Sequence, residues 1–188
     1  MTDVPYASLS HVGISVWDLD RMVAFYGRAL GFMLTDRGPL PNGSAEYAFM
    51  SRNPDEHHQI VLATGRKRGV PSQIVQLSLK MGSLADLRRM YEIVRDDAEA
   101  TNPQTRAHGI AWSLYFRDPE GNTVECFTPS PWYVHAPSAV PFDFETMSDE
   151  EIFDRVAAAV KEKPGFSTYA EWKASAAERM RSGGHWPG

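Results

Sequence analysis

Residues 117–127 read Arg117-Asp118-Pro119-Glu120-Gly121-Asn122-Thr123-Val124-Glu125-Cys126-Phe127. Asp118-Pro119 and Gly121-Asn122 are strong turn dipeptides, and the β-branched and apolar residues that follow them favour a strand. Because strand side chains alternate between two faces, Glu125 shares a face with Thr123 and Phe127. The stretch therefore predicts a tight turn followed by a strand over 123–128 that carries a carboxylate. From this segment alone, Glu125 is either a solvent-facing strand residue or a functional group with a partner.

The composition of the whole chain is that of a soluble globular protein. It has 188 residues, of which 43% are hydrophobic and 23% charged, and this length suits one domain or two small modules that share a core. The net charge of −5 argues against a nucleic-acid partner. We interpret the one compact basic cluster, Arg66-Lys67-Arg68, as a solvated loop.

The cysteine content and the hydropathy pattern indicate the cellular compartment of the protein. Its one cysteine, Cys126, cannot form an internal disulfide, which indicates a reducing, cytoplasmic setting. The first residues lack the basic start and apolar run of a signal peptide, and no segment approaches the roughly 18 apolar residues of a membrane span. We therefore expect a cytoplasmic protein with no membrane partner.

Upstream of the opening stretch, the hydrophobic pattern predicts a first module over about residues 8–64. Residues 9–17 alternate as a strand that places His11 on the same face as Gly13. Asp18 is predicted to cap a helix that stops at Gly31. Three further strands follow, over 32–36, 45–50 and 57–63. The predicted order is βαβββ.

The same order returns over about residues 72–128. When Gln76 is placed under His11, Ser83 falls under the helix cap Asp18, and the apolar residues of the two helices coincide. The remaining elements are a strand over 73–81, a loop around Pro103 and strands over 111–117 and 123–128. Each module is too small to bury its sheet alone. We therefore predict an α+β domain over 1–130, in which two βαβββ modules form a curved, cleft-bearing mixed sheet.

The composition changes after residue 130. Residues 131–188 are predicted to form a proline-rich connector and a two-helix C-terminal extension. Ser148 begins the first helix with an acidic first turn, and the second covers 168–180. The extension is too small to have its own core, so we expect it to pack across the sheet domain or against a second copy.

Three metal-ligand types fall in corresponding strands of the predicted modules. His11 lies in the first strand of the first module, His58 in its fourth, and Glu125 in the fourth strand of the second module. Equivalent strands of repeated modules face one cleft, so these side chains are predicted to converge. Two imidazoles and one carboxylate suit a non-haem Fe(II) that keeps open positions. A lone strand histidine is more often structural, and His57 competes with His58, although alternation with the apolar residues that follow favours His58.

A resemblance to a known family supports this interpretation. It is carried by His11-Val12-Gly13-Ile14-Ser15-Val16 with Phe25-Tyr26 and Leu30-Gly31-Phe32, by His57-His58-Gln59-Ile60-Val61-Leu62, and by His108-Gly109 through Tyr115-Phe116, Asp118-Pro119 and Gly121-Asn122 to Glu125. Over about residues 8–130 the sequence resembles the vicinal oxygen chelate superfamily, and within it the one-domain type I extradiol ring-cleaving dioxygenases. The resemblance implies the vicinal oxygen chelate fold and a metal, Fe(II) or alternatively Mn(II), bound by His11, His58 and Glu125. It also implies that His108 and Tyr115 are catalytic residues.

The activity that the resemblance implies is cleavage of a catechol-type ring by O₂ in aromatic-compound catabolism. The substrate would be a small aromatic diol. The resemblance implies that His108 acts as the acid/base and that Tyr115 donates a hydrogen bond to a substrate oxygen or to the intermediate. Aromatic residues such as Phe49, Trp112 and Trp132 are either walls of an apolar pocket or core residues. We expect copies of the chain to pair as a homo-oligomer.

Other functions within the superfamily remain open. The alternatives are a lyase, an epimerase or a fosfomycin-type thiol transferase, or a metal-free drug-binding protein of the bleomycin-resistance type. The lyases usually have a glutamate where His58 stands and a further ligand at the position of Gln76.

Overall fold

The first module of the computed structural model, which describes Pro5 and residues 7–182, contains four strands and one helix. In chain order they are β1 (Val12–Val16), α1 (Leu19–Leu30), β2 (Met33–Pro39), β3 (Glu46–Ser51) and β4 (Ile60–Thr64). The predicted ends of the helix are confirmed. The Asp18 side chain accepts a hydrogen bond from the Arg21 backbone N–H, and Gly31 closes the helix in the left-handed conformation at φ 71°, which glycine adopts without steric cost.

The second module repeats this order. Its elements are β5 (Leu77–Lys80), α2 (Leu84–Asp96), β6 (Thr101–Ala107), β7 (Ala111–Arg117) and β8 (Thr123–Pro129). Ser83 caps α2 as Asp18 caps α1, so the α+β class and the repeated βαβββ order are confirmed. The predicted loop around Pro103 is wrong, because this residue lies within β6. The ladder between β6 and β7 shifts register between Thr101 and Gln104, and such an irregularity accommodates a proline.

Hydrogen bonding divides the strands by module into two mixed sheets. The first sheet has the order β1-β4-β3-β2, and the second has the order β6-β7-β8-β5 with one short strand added beside β6. In each module the first and last strands are parallel neighbours. One apolar core includes residues of both modules, such as Met22 of α1, Leu87 of α2 and Leu114 of β7. No helix within the described residues is long and apolar enough to cross a bilayer.

The fourth strand of the first module begins later than predicted. It starts at Ile60 instead of residue 57, so His58 lies in the connection before the strand. The antiparallel ladder with β3 pairs Met50 with Ile60 at this end. Beyond that pair the connection turns, with Glu56 N–H bonded to the Asn53 carbonyl at 3.1 Å, so residues 57 and 58 have no ladder partner.

The described part of the C-terminal extension, residues 131–182, contains two helices and three two-residue strands. They are β9 (Trp132–Tyr133), β10 (Val140–Pro141), α3 (Asp149–Lys161), β11 (Ser167–Thr168) and α4 (Tyr169–Ser182). Residues 183–188 of the predicted extension lie outside the described residues. β10 pairs with β6, and Arg88 of α2 donates to Asp149 at 2.6 Å and to the Met147 carbonyl at 2.8 Å. The described extension therefore packs on the second module.

A buried ion pair joins the two modules at the turn between β7 and β8. Glu120 accepts hydrogen bonds from the backbone N–H groups of Trp17 and Asp18 at 2.9 and 2.8 Å. Arg66 donates to the same carboxylate at 2.6 Å, and the two side chains are only 5% and 0% exposed. The Arg66 guanidinium also lies 4.5 Å from the centre of the Trp17 ring. The prediction of a solvated loop is therefore wrong for Arg66, because its charge is neutralised by a carboxylate from the other module.

A second ionic network joins α1 to the segment after α2. Arg28 donates to both oxygens of Asp97, at 2.8 and 3.1 Å, and to Glu99 at 2.9 Å. Arg21 donates to the other oxygen of Glu99 at 2.7 Å. The Arg28 guanidinium holds the pKa of Asp97 below its ordinary value. A carboxyl group with a lowered pKa in the folded state stabilises the fold above its unfolded-state pKa, and this stabilisation is lost as the pH falls.

Asp97→Asn is expected to lower the free energy of unfolding by about 1 kcal/mol at pH 7. Asparagine keeps an oxygen for the backbone N–H groups of Glu99 and Ala100 but loses the charge facing Arg28. Urea unfolding at several pH values should show the difference from the unsubstituted chain shrinking as the pH falls below 3.8, the ordinary pKa of the group. Asp96→Asn is the matched control, because Asp96 is 66% exposed and pairs only with its neighbour Arg95. If Asp97→Asn still lowered the free energy of unfolding at low pH, the loss of stability would not come from the ion pair with Arg28.

Candidate functional site

The first cluster of predicted site residues contains His11 and His58. The backbone N–H of Val12 donates to the Gln59 carbonyl at 3.1 Å, and this bond holds the two segments side by side. The ring centres of His11 and His58 are 4.3 Å apart. Burial, followed by the neighbouring imidazoles of His11 and His57, lowers the pKa of His58. A lowered pKa favours the neutral imidazole, which is the form that binds metals.

The second cluster surrounds Glu125 in β8, where the flanking strands place polar side chains beside it. Ser78 of β5 and Tyr115 of β7 are its direct register partners. One carboxylate oxygen accepts from Ser78 Oγ at 2.6 Å and from Gln76 Nε2 at 2.8 Å. The other accepts from the Tyr115 hydroxyl at 2.5 Å. Glu125 is only 8% exposed, which excludes the alternative of a solvent-facing strand residue. A buried carboxylate needs hydrogen-bond donors, and Ser78, Gln76 and Tyr115 supply them.

Tyr115 connects this carboxylate to His108. His108 Nε2 lies 2.9 Å from the Tyr115 oxygen, and its Nδ1 lies 2.7 Å from the Ser138 carbonyl oxygen in the extension. Burial, followed by the hydrogen bond to Glu125, raises the pKa of Tyr115 to about 12. Tyr115 therefore keeps its proton at neutral pH and can donate it to Glu125.

The contacts of His108, Tyr115 and Glu125 require three protons. One lies between His108 Nδ1 and the carbonyl of Ser138, one between Nε2 and the Tyr115 oxygen, and one between that oxygen and Glu125. A neutral imidazole and a phenol supply two, so the three contacts are all satisfied only when the chain carries one further proton. The hydrogen-bonded chain can therefore take up or release one proton without rearrangement of its heavy atoms.

The two clusters do not combine into the predicted three-ligand metal site. Among the residues that the structure describes, no three histidine, cysteine, aspartate or glutamate side chains are grouped so that they could hold a metal ion. The strand registers also place the two clusters differently within their modules. Gly13 pairs with Val61 in the first module as Ser78 pairs with Glu125 in the second, so the counterpart of Glu125 is Val61 and His58 lies three residues earlier. His11, His58 and Glu125 are thus not grouped around one position among the described residues, and this ligand set stays a prediction.

Sequence reasoning misses three polar groups that complete the second cluster. Gln76 is predicted only as the repeat counterpart of His11 and as the position of a lyase ligand, and Ser78 is not predicted to belong to the site. The alternation of β5 places both on one face, and this signal could have identified them once the pairing of β5 with β8 was known. Ser138 lies in the irregular connector, where no periodic pattern indicates that its carbonyl contacts His108.

The aromatic residues considered as pocket walls separate into two groups. Trp112 and Trp132 are 5% and 8% exposed and pack with Phe153 of α3, so they belong to the interface with the extension. Phe49 is different, because its ring lies 5.1 Å from that of His58. Phe49 thus contacts a candidate site residue.

Comparison with known proteins gives matches over somewhat more than three fifths of the chain. The chain is 27% identical over 124 residues to biphenyl-2,3-diol 1,2-dioxygenase 3 of Rhodococcus globerulus, covering 62% of this chain and 60% of that protein. It is 26% identical over 121 residues to the uncharacterized protein YwbC of Bacillus subtilis, covering 63% of this chain and 95% of that protein. The chain thus spans less than two thirds of the length of the first of these relatives.

Solved structures show the same fold. A glyoxylase/bleomycin resistance protein/dioxygenase domain from Frankia sp. EAN1pec superposes with a TM-score of 0.56 at 24% identity, covering 67% of this chain and all of that one. A mutant of the fosfomycin resistance protein FosX of Listeria monocytogenes, in complex with Mn(II), superposes with a TM-score of 0.51 at 15% identity, covering 65% of this chain and 92% of that one. Residues 8–126 match the family described as the glyoxalase/bleomycin resistance protein/dioxygenase superfamily. The chain therefore belongs to that superfamily.

Proposed function

We propose that this chain is an extradiol dioxygenase that cleaves the ring of a small aromatic diol with O₂. The observation that carries the proposal is the hydrogen-bonded chain from His108 through Tyr115 to Glu125. The similarity to a biphenyl-diol dioxygenase supports it. The proposal includes Fe(II) as cofactor, with Mn(II) as the alternative, a cytoplasmic setting and paired copies, as predicted from the sequence.

The residues of the second cluster would move a proton from the substrate. A diol becomes electron-rich enough to react with oxygen when it loses a proton from a hydroxyl group. Glu125 is the acceptor of the cluster, and Tyr115 and His108 would take the proton further without a change of position. Ser138 would keep His108 oriented, because its carbonyl accepts the Nδ1 proton.

Oxygen uptake tests the proposal directly. The protein would be reconstituted with Fe(II) without oxygen and then mixed with air and a panel of catechols and dihydroxybiphenyls, while oxygen consumption and visible absorbance are recorded. We expect uptake with a coloured product for the unsubstituted protein and none for Glu125→Ala. Glu92→Ala is the matched control, since Glu92 is an exposed residue of α2. Metal content of the His11→Ala and His58→Ala variants would test the predicted ligands separately.

Two other results would contradict the proposal. Tight metal binding without oxygen uptake would favour a lyase, an epimerase or a thiol transferase. Ligand binding without any bound metal would favour a second candidate, a metal-free drug-binding protein. One observation supports this second candidate, namely that no group of three metal-ligand side chains exists among the described residues.

A further inference from the structure

A cavity between the two modules is lined by positive charges that have no partner in the described protein. Its volume is about 670 Å³, within the range of small-molecule sites. Arg52, which follows β3, and Lys80, which ends β5, line it from opposite modules. Across residues 7–182, neither the guanidinium nor the ammonium makes a hydrogen bond or an ion pair, and the one bond of Arg52 comes from its backbone N–H. Two solvent-exposed cations thus line one cavity without a direct salt bridge among the described residues.

The Arg52 side chain lies at the C-terminal end of α1 in the first module. Its guanidinium lies against Gly31, the left-handed residue that closes α1. The negative end of a helix dipole stabilises a cation there but supplies no counter-ion. The planar N–H groups of an arginine in this position can bind both oxygens of a carboxylate.

The other lining residues define the kind of anion. Asp86 is the one acidic side chain of the lining, and its carboxylate accepts from Ser83 Oγ at 2.7 Å. Two cations and one anion give the lining a charge of plus one, which a single carboxylate would neutralise and a phosphate dianion would exceed. Phe32 and Met90 add apolar surface, so the cavity suits a carboxylate attached to an apolar body.

The cavity also borders the second cluster of the candidate site through Ser78. Its lining includes Gln59, which follows His58 in the chain, and Ser78, which donates to Glu125. Cys126 lies in the same wall, but burial raises the pKa of its thiol to about 12, so it is no nucleophile. A ligand held by its carboxylate at Arg52 and Lys80 would therefore lie beside Ser78, whose hydroxyl donates to Glu125.

We propose that this cavity binds the carboxylate of a small aromatic acid through Arg52 and Lys80. The binding site stands on its own. The extension to catalysis, that the diol substrate carries a carboxylate, rests on the proposed function.

Calorimetric titration with benzoate tests the binding site without metal, oxygen or turnover. We expect benzoate to bind the unsubstituted protein and to bind about tenfold or more weakly to Arg52→Gln and to Lys80→Gln, because each substitution removes charged hydrogen bonds. Asp86→Asn is expected to bind benzoate more tightly, which keeps the test decisive if the other variants unfold. Arg89→Gln is the matched control, since Arg89 belongs to α2 and lies outside the cavity. Benzamide, which has the same shape without the charge, should not bind.

Equal affinity of benzoate for the unsubstituted protein and for Arg52→Gln would overturn the proposal. So would tighter binding of inorganic phosphate than of benzoate. The catalytic extension has a separate test, in which kcat/KM for dihydroxybenzoates is compared with that for unsubstituted catechol. Equal values would overturn the extension while the dioxygenase activity stands. Benzoate binding without oxygen uptake from any diol would instead refute the proposed function and leave the binding site intact.

Discussion

Glu120→Gln is expected to lower the free energy of unfolding by about 3 to 5 kcal/mol. Glutamine can still accept from the backbone N–H groups of Trp17 and Asp18, but it carries no charge to neutralise Arg66. An unpaired guanidinium that is 5% exposed is costly, because burial removes its solvation. The expected loss is a large part of the roughly 5 to 15 kcal/mol by which a domain is stable.

Urea unfolding followed by circular dichroism would measure this loss. Glu92→Gln is the matched control, because it makes the same chemical change at an exposed position of α2. The double variant Arg66→Met with Glu120→Gln should be more stable than Glu120→Gln alone, since it removes the buried guanidinium that has lost its carboxylate partner. A destabilisation of Glu120→Gln no greater than that of Glu92→Gln would show that the ion pair does not hold the modules together.

Tyr115→Phe is expected to lower kcat for an aromatic diol by about 100- to 10,000-fold, under the proposed function. Phenylalanine keeps the ring, which lies 5.2 Å from the Arg106 guanidinium, and removes the oxygen that connects His108 to Glu125. The proton taken up by Glu125 then has no route to the imidazole. The substitution should leave the unfolding curve much less affected than the rate.

Steady-state kinetics over a range of pH would separate this role from a structural one. Loss of proton transfer should lower kcat, change its pH profile and leave KM nearly constant, whereas a displaced strand would raise KM as well. Tyr133→Phe is the matched control, because it removes the hydroxyl of another half-buried tyrosine, whose ring stacks on Trp172. A Tyr115→Phe variant with unchanged kcat would exclude the proton path.

The local parts of the fold could be predicted because caps and periodicity are encoded within a few residues. As expected, α1 begins after Asp18 and ends at Gly31, and α2 begins after Ser83. The strand containing Pro103 is not predicted, because β6 can include a proline only where its register against β7 shifts. The start of β4 was missed because a strand ends where its neighbour stops pairing, and periodicity within one segment cannot show this.

The candidate site was predictable only within one module. Glu125 and Tyr115 lie opposite each other in adjacent strands, so alternation and a short turn bring them together. The grouping of Glu125 with His11 depended on the relative placement of two modules, which no local pattern gives. For the same reason, the pairing of Arg66 with Glu120 across 54 positions of sequence was mistaken for a solvated loop.

The carbonyl of Ser138 affects how relatives of this chain can be compared. The match to the superfamily ends at residue 126, yet the atom that orients the His108 ring lies twelve residues further on, in a segment outside that match. A homologue with the same histidine and tyrosine but a different C-terminal segment could lack the contact at Nδ1, so that the tyrosine at Nε2 alone would orient the imidazole. Identity over the matched region alone is thus a poor guide to whether two such chains share a reaction, and the sequence around residue 138 should be compared first.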